Sequence, residues 1–151
     1  MRRVVITGIG MVTPLSGQTM HSWERLKNGH SGIASVTQFD VSDFPTKIAG
    51  MVPCGIGPGL LDVDSVMEPA EQRKTDPFII WGMAAAKQAV EDAGWMPTDE
   101  ESLERTGVMI GCGIGGLTRI YDSSVTLVEK GFRRVSPYFI PASLINLVSG
   151  H

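Results

Sequence analysis

Apolar residues fall into two repeating patterns along the chain, one of strand type and one of helix type. The run Val4-Val5-Ile6-Thr7-Gly8-Ile9-Gly10-Met11-Val12 opens with β-branched residues and carries no charge. That is the pattern of a central strand buried on both faces, as in a parallel sheet, and its two glycines would let neighbouring backbone pack closely. From Thr19 to Gly29, Met20, Trp23 and Leu26 recur at helical spacing. Thr19 reads as the N-cap, Arg25 and Lys27 suit the last turn, and Gly29 is the stop, which predicts a short amphipathic surface helix. Residues 30–45 read as loop, Lys47 to Val52 as a short strand and Pro53 to Gly59 as a flexible connection. Asp76 and Pro77 then form a strong helix start. Phe78 to Ala86 is apolar on nearly all sides and the stretch to Gly94 is amphipathic, so this helix is expected to cross a core or an interface. After a polar connection from Trp95 to Arg105, Thr106 to Ile110 predicts a second strand. Leu117, Ile120, Tyr121, Val125 and Val128 predict a helix ending at Lys130-Gly131, and Leu144, Ile145, Leu147 and Val148 a last apolar one. Strands alternating with helices give the class α/β.

Between the second strand and its helix lies Gly111-Cys112-Gly113-Ile114-Gly115-Gly116. Glycine removes the Cβ that would keep other backbone or a ligand away. The single bulky residue, Ile114, is left projecting from a bare loop as a gate or a plug. Literally, the string also fits Gly-x-Gly-x-x-Gly between a strand and a helix, a dinucleotide fingerprint, but a ribose-binding acid at the expected distance is missing.

Composition narrows the chemistry only a little. Thirteen Lys and Arg against sixteen Asp and Glu give a net charge of −3 over 151 residues, which points to neither nucleic acid nor an anionic membrane. The length suits one domain. Two cysteines, Cys54 and Cys112, are too few for a disulfide framework and suit a reduced, cytoplasmic setting. Arg2-Arg3 and the apolar run after them superficially resemble a secretion signal, but Thr7, Gly8, Gly10 and Pro14 interrupt the pattern, so a first strand is expected instead. No apolar run approaches the roughly 20 residues needed to span a bilayer. His21 and His30 have no ligand cluster around them, so no metal is expected, and no cofactor either. Cys112 at a helix start invites a nucleophile reading, yet no assignable His accompanies it. A small residue packed among glycines is the favoured reading.

Four stretches taken together are more specific. Arg3 to Pro14, Glu71-Gln72-Arg73-Lys74-Thr75-Asp76, Ile110 to Gly116 and Ser136-Pro137-Tyr138-Phe139-Ile140-Pro141 resemble, in order and spacing, the β-ketoacyl-[acyl-carrier-protein] synthase II family. The resemblance covers residues 1–151 and implies a partial N-terminal thiolase-like domain, an incomplete first α/β half with the second half absent. It implies fatty-acid chain elongation by decarboxylative Claisen condensation of acyl- and malonyl-carrier protein, in a homodimeric cytoplasmic acyltransferase. The family's catalytic Cys-His-His set lies beyond His151. Neither Cys54 nor Cys112, and none of His21, His30 or His151, aligns with it, so the chain alone is expected to be inactive. What the resemblance carries over is binding. Ile114 matches the gate of the acyl pocket, Phe139 and Ile140 match its wall across the dimer interface, and Arg73, Lys74, Arg133 and Arg134 match positions that dock acidic acyl carrier protein. The rival expectations are a non-catalytic carrier-binding or scaffolding module and an NAD(P)-dependent oxidoreductase domain.

Overall fold

The computed structural model describes residues 3–151, so Arg2 at the head of the signal-like start lies outside the described residues. In chain order its elements are α1 (Thr19–Lys27), β1 (Ile33–Ser35), β2 (Ile48–Gly50), α2 (Pro69–Gln72), α3 (Pro77–Ala93), α4 (Glu100–Glu104), α5 (Leu117–Lys130), a 3-10 turn at Phe132–Arg134, α6 (Phe139–Ser143) and α7 (Leu147–Gly150). They form two compact units. One comprises residues up to Val63 together with Ala84–Trp95, the other Asp64–Met83 with Met96–His151, and α3 gives its first turns to the second and its last turns to the first.

In the first unit the expected strand over Val4 to Val12 does not form. The segment joins no ladder, and Val4, Val5 and Ile6 are 96%, 73% and 84% exposed. A strand is completed by its neighbours, and no neighbouring strand pairs with this segment among the described residues. What does appear is the expected close approach. A Cβ on Gly8 or Gly10 would overlap the carbonyl oxygens of Ala89 and Ala85 on α3. The polar face of α3 then supplies partners for the segment and for the start of α1. The Ile9 amide donates to Asp92 Oδ2 (2.9 Å), and Gln88 Oε1 accepts from the Thr19 amide (2.8 Å) and hydroxyl (2.7 Å). Gln88 Nε2 donates to the Gly17 carbonyl at 3.0 Å. Thr19 is therefore the first helical residue rather than the cap, a position held by Gln18 without a side-chain bond. At the other end, Gly29 (φ +69°) donates to Leu26 O and His30 to Arg25 O, the paired bonds of a Schellman stop. β1 and β2 pair antiparallel, Ala34 opposite Ala49. β1 lies within the stretch expected to be loop, because three residues are too few to show a period.

The second unit buries Met67, Ile79, Ile80, Ala142 and Val148. Ile79 and Ile80 fulfil the expectation that the apolar start of α3 is buried. Gly82 lets α7 come close: a Cβ there would stand 2.5 Å from Val148 Cγ1. The second expected strand, Thr106 to Ile110, is also missing, and Val108 and Met109 are exposed for the same want of a partner. The polar connection before it holds α4, capped by Asp99, whose carboxylate accepts from the Ser102 amide at 2.9 Å. The last apolar helix, expected over Leu144 to Val148, forms only from Leu147 on, as α7, and α6 ends before it at Ser143. Leu144 is extended (φ −72°, ψ 132°), and the Ser143 carbonyl turns outward to accept from the Gly116 amide at 3.1 Å. The α/β class thus holds only as helices with one small antiparallel sheet, and the expected parallel sheet is not formed among the described residues. No helix among these residues is long and apolar enough to cross a membrane.

Candidate functional site

The site is framed by a buried carboxylate. Asp76, 4% exposed, ends the segment Glu71 to Asp76 and accepts backbone amides from the starts of two helices: Phe78 of α3 at 3.3 Å and Arg119 of α5 at 3.0 Å. A carboxylate at a helix start offsets the positive end of its dipole and satisfies amides that have no partner within the helix. The Arg119 side chain reaches back to the same segment. Its Nε and Nη2 donate to the Thr75 carbonyl at 3.0 and 2.8 Å, and Nη2 also to the Arg73 carbonyl at 3.0 Å.

The glycine loop is fastened just before this junction. Gly115 (φ +89°) and Gly116 lie against α6, where added Cβ atoms would stand 2.5 Å from the Ser143 and Ala142 carbonyl oxygens. Gly111 and Gly113 have nothing within 4 Å of such an atom. One half of the loop is locked and the other is open, with Ile114 between them, 67% exposed.

Beside the frame is a cavity of about 150 Å³. Arg73, Lys74, Arg119 and Arg134 line it, with Asp122 the one carboxylate and Phe139 an apolar part of the wall. Lys74 pairs with Glu71 and lies 5.4 Å over the Tyr138 ring, and the Glu71 carboxylate pushes its pKa up. With the Arg119 guanidinium held by backbone carbonyls and Lys74 paired with Glu71, Arg73 and Arg134 are the cations this cavity offers an anionic partner, and arginine recognises carboxylate or phosphate by paired hydrogen bonds.

The sequence pattern of the family described as "Beta-ketoacyl synthase, N-terminal domain" matches residues 1–151. The chain belongs to this β-ketoacyl synthase family. It is 55% identical over 151 residues to 3-oxoacyl-[acyl-carrier-protein] synthase 2 of Rhizobium meliloti, covering 99% of this chain and 36% of that protein. The chain spans about a third of the length of the curated relatives it matches. Among solved structures, the ishigamide ketosynthase/chain length factor superposes with a TM-score of 0.76 at 21% identity, covering 97% of this chain and 35% of that one. A type II polyketide ketosynthase, solved with its acyl-carrier protein and bound to a hexaketide, superposes with a TM-score of 0.67 at 19% identity, covering 99% and 37%. At these identities the likeness is one of fold.

Of the residues singled out by resemblance to the synthase family, Arg73, Lys74, Arg134 and Phe139 meet at this cavity. Arg133 does not line it, and its guanidinium lies 5.9 Å over the Phe132 ring. Ile114 and Ile140 are exposed, at 67% and 57%, and neither lines it. Arg119 was not anticipated. The available signal was a cation in the first turn of a helix, against the dipole, which calls for a local partner. Cys54 is exposed, donates to the Val52 carbonyl at 3.6 Å and has its thiol pushed up by partial burial, while Cys112 is a free, half-buried thiol. Among the described residues no group of three His, Cys, Asp or Glu side chains is placed to hold a metal. The pyrophosphate of a dinucleotide would need the start of α5, where Asp76 already accepts the Arg119 amide.

Proposed function

We infer that the chain is the N-terminal portion of a β-ketoacyl-[acyl-carrier-protein] synthase II, an acyltransferase that elongates fatty acids. In that reaction the acyl group passes from carrier protein to a cysteine. Malonyl-carrier protein then loses carbon dioxide, and the resulting carbanion attacks the acyl thioester to give a β-ketoacyl-carrier product two carbons longer. The reacting cysteine and two histidines belong to the part of the family's chain beyond position 151, and the residues described above serve binding. Arg73, Lys74, Arg133 and Arg134 attract the acidic carrier, Ile114 gates the acyl pocket, and Phe139 with Ile140 forms pocket wall at a dimer interface.

The observation that carries this reading is the meeting of Arg73, Lys74 and Arg134 with Phe139 at one cavity, from segments about sixty residues apart in sequence. The locked half of the glycine loop rests on α6, the helix that begins at Phe139. The ketosynthase solved with its acyl-carrier protein supports a carrier as the partner.

The test is product analysis by mass spectrometry with the complete synthase, malonyl-carrier protein and acyl-carrier primers of different length. The expected product is the primer lengthened by two carbons. Ile114→Phe should cut turnover of long primers about tenfold relative to short ones, as a bulkier gate blocks the deeper pocket. No elongation by the wild type would overturn the function, and an unchanged ratio in Ile114→Phe would overturn the gate.

A further inference from the structure

We propose that Asp76 and Arg119 are positioning residues that couple docking of the carrier protein to the glycine loop bearing Ile114. The inference rests on the docking and gating reading above. The Arg73 side chain lines the cavity, whereas its backbone carbonyl, with that of Thr75, is gripped by the Arg119 guanidinium. Arg119 stands three residues after Gly116, on the first turn of α5, and its own amide is tied to Asp76. Asp76 in turn follows Lys74 by two residues, and its Cβ lies 3.2 Å from where a Cβ on Gly116 would stand. Displacement of the Arg73–Thr75 backbone by a docked partner therefore acts directly on the start of α5 and the locked end of the loop. The other end has room to respond, since Gly111 and Gly113 are unhindered. A rigid arm joined to a free hinge lets occupancy of the cations bias the position of Ile114, which is coupling through a contiguous hydrogen-bonded path.

Cys112 provides a reporter, being a half-buried thiol two residues before Ile114. The experiment measures the rate of Cys112 alkylation by iodoacetamide in the complete synthase, read by peptide mass spectrometry, with and without saturating acidic carrier protein, whose binding is followed separately by calorimetry. In the wild type the carrier should slow alkylation about fivefold, the lower end of ordinary coupling between sites. In Arg119→Met, which keeps the aliphatic length but loses the donors, the effect should fall below about twofold, while Arg119→Lys, which keeps one charged donor, retains part of it. Kinetics give a second readout. Arg119→Met should lower kcat for long primers relative to short ones and leave KM for the carrier within about twofold, because the Nε and Nη2 donors of Arg119 hold backbone carbonyls rather than the partner. Should Arg119→Met fail to fold, Asp76→Asn, of the same size and with one acceptor oxygen, tests the same path and should show the same loss. An equal carrier effect in wild type and variants, or carrier binding that leaves Cys112 unchanged in the wild type, overturns the coupling and leaves docking intact. Absence of carrier binding to the wild type overturns docking itself, and the coupling with it.

Discussion

Replacing Gly116 with alanine tests how the glycine loop is held. An ideal Cβ there stands 2.5 Å from the Ala142 carbonyl oxygen, 2.9 Å from Ser143 Cα and 3.2 Å from Asp76 Cβ. Two of these neighbours are backbone atoms, which cannot rotate aside as a side-chain end would. Relief requires α6 to move away, which also stretches the 3.1 Å bond from the Gly116 amide to Ser143 O. Overpacking of this kind costs about 1–3 kcal/mol and the bond about 1 more, so Gly116→Ala should destabilise by about 2–4 kcal/mol. Its φ of −77° is ordinary for alanine, so none of this cost is backbone strain. Gly113→Ala is the matched control, with nothing within 4 Å and no positive φ, and should stay within about 0.5 kcal/mol of wild type. Urea denaturation followed by tryptophan fluorescence and circular dichroism measures both. Equal midpoints for the two variants would refute the packing argument, and with it the idea that the loop has one locked and one open half.

Gln88→Leu should destabilise by about 1–3 kcal/mol, because it leaves the Thr19 amide and the Gly17 carbonyl without their partner; denaturation measures it, and a neutral result would contradict the role given to α3. The Asp99 carboxylate is held below its usual range by the Ser102 amide and hydroxyl. A depressed folded-state pKa gives stability that is present above the unfolded value of about 4 and is lost as the pH falls through the folded one. Hydrogen exchange at the Ser102 amide should therefore lose protection below about pH 4 once intrinsic rates are removed, and Asp99→Ala should abolish that dependence.

The helices were legible because their signals are local. Trp23 and Leu26 with the Gly29 stop, Asp76 before Pro77, and the spacing from Leu117 to Val128 each depend on residues a few positions apart. The two expected strands failed for the opposite reason. Val4 to Ile6 and Val108 to Met109 have strand composition, but a ladder is made by a neighbouring chain segment, which none of these residues encodes. Leu144, the first residue of the expected last helix, is extended without any breaker residue to signal it, and the Ser143 carbonyl just before it is held by the distant Gly116 amide. At the candidate site, the string from Arg73 to Asp76 and the pair Arg133-Arg134 stood out as segments. That Arg134 reaches the cavity while Arg133 turns to Phe132 depends on the 3-10 turn, invisible in two identical neighbours. Asp76 was legible as a cap for α3, and its second role at α5 required the fold.

Single charge reversals, read as KM for acyl carrier protein in the complete synthase at low and high salt, test the central claim most directly. Docking through the shared cavity predicts that Arg73→Glu and Arg134→Glu each raise KM about tenfold at low salt, with the difference shrinking as salt rises, and that Arg133→Glu raises it less. Equal effects at Arg133 and Arg134, or no effect at Arg73 and Arg134, would contradict the account.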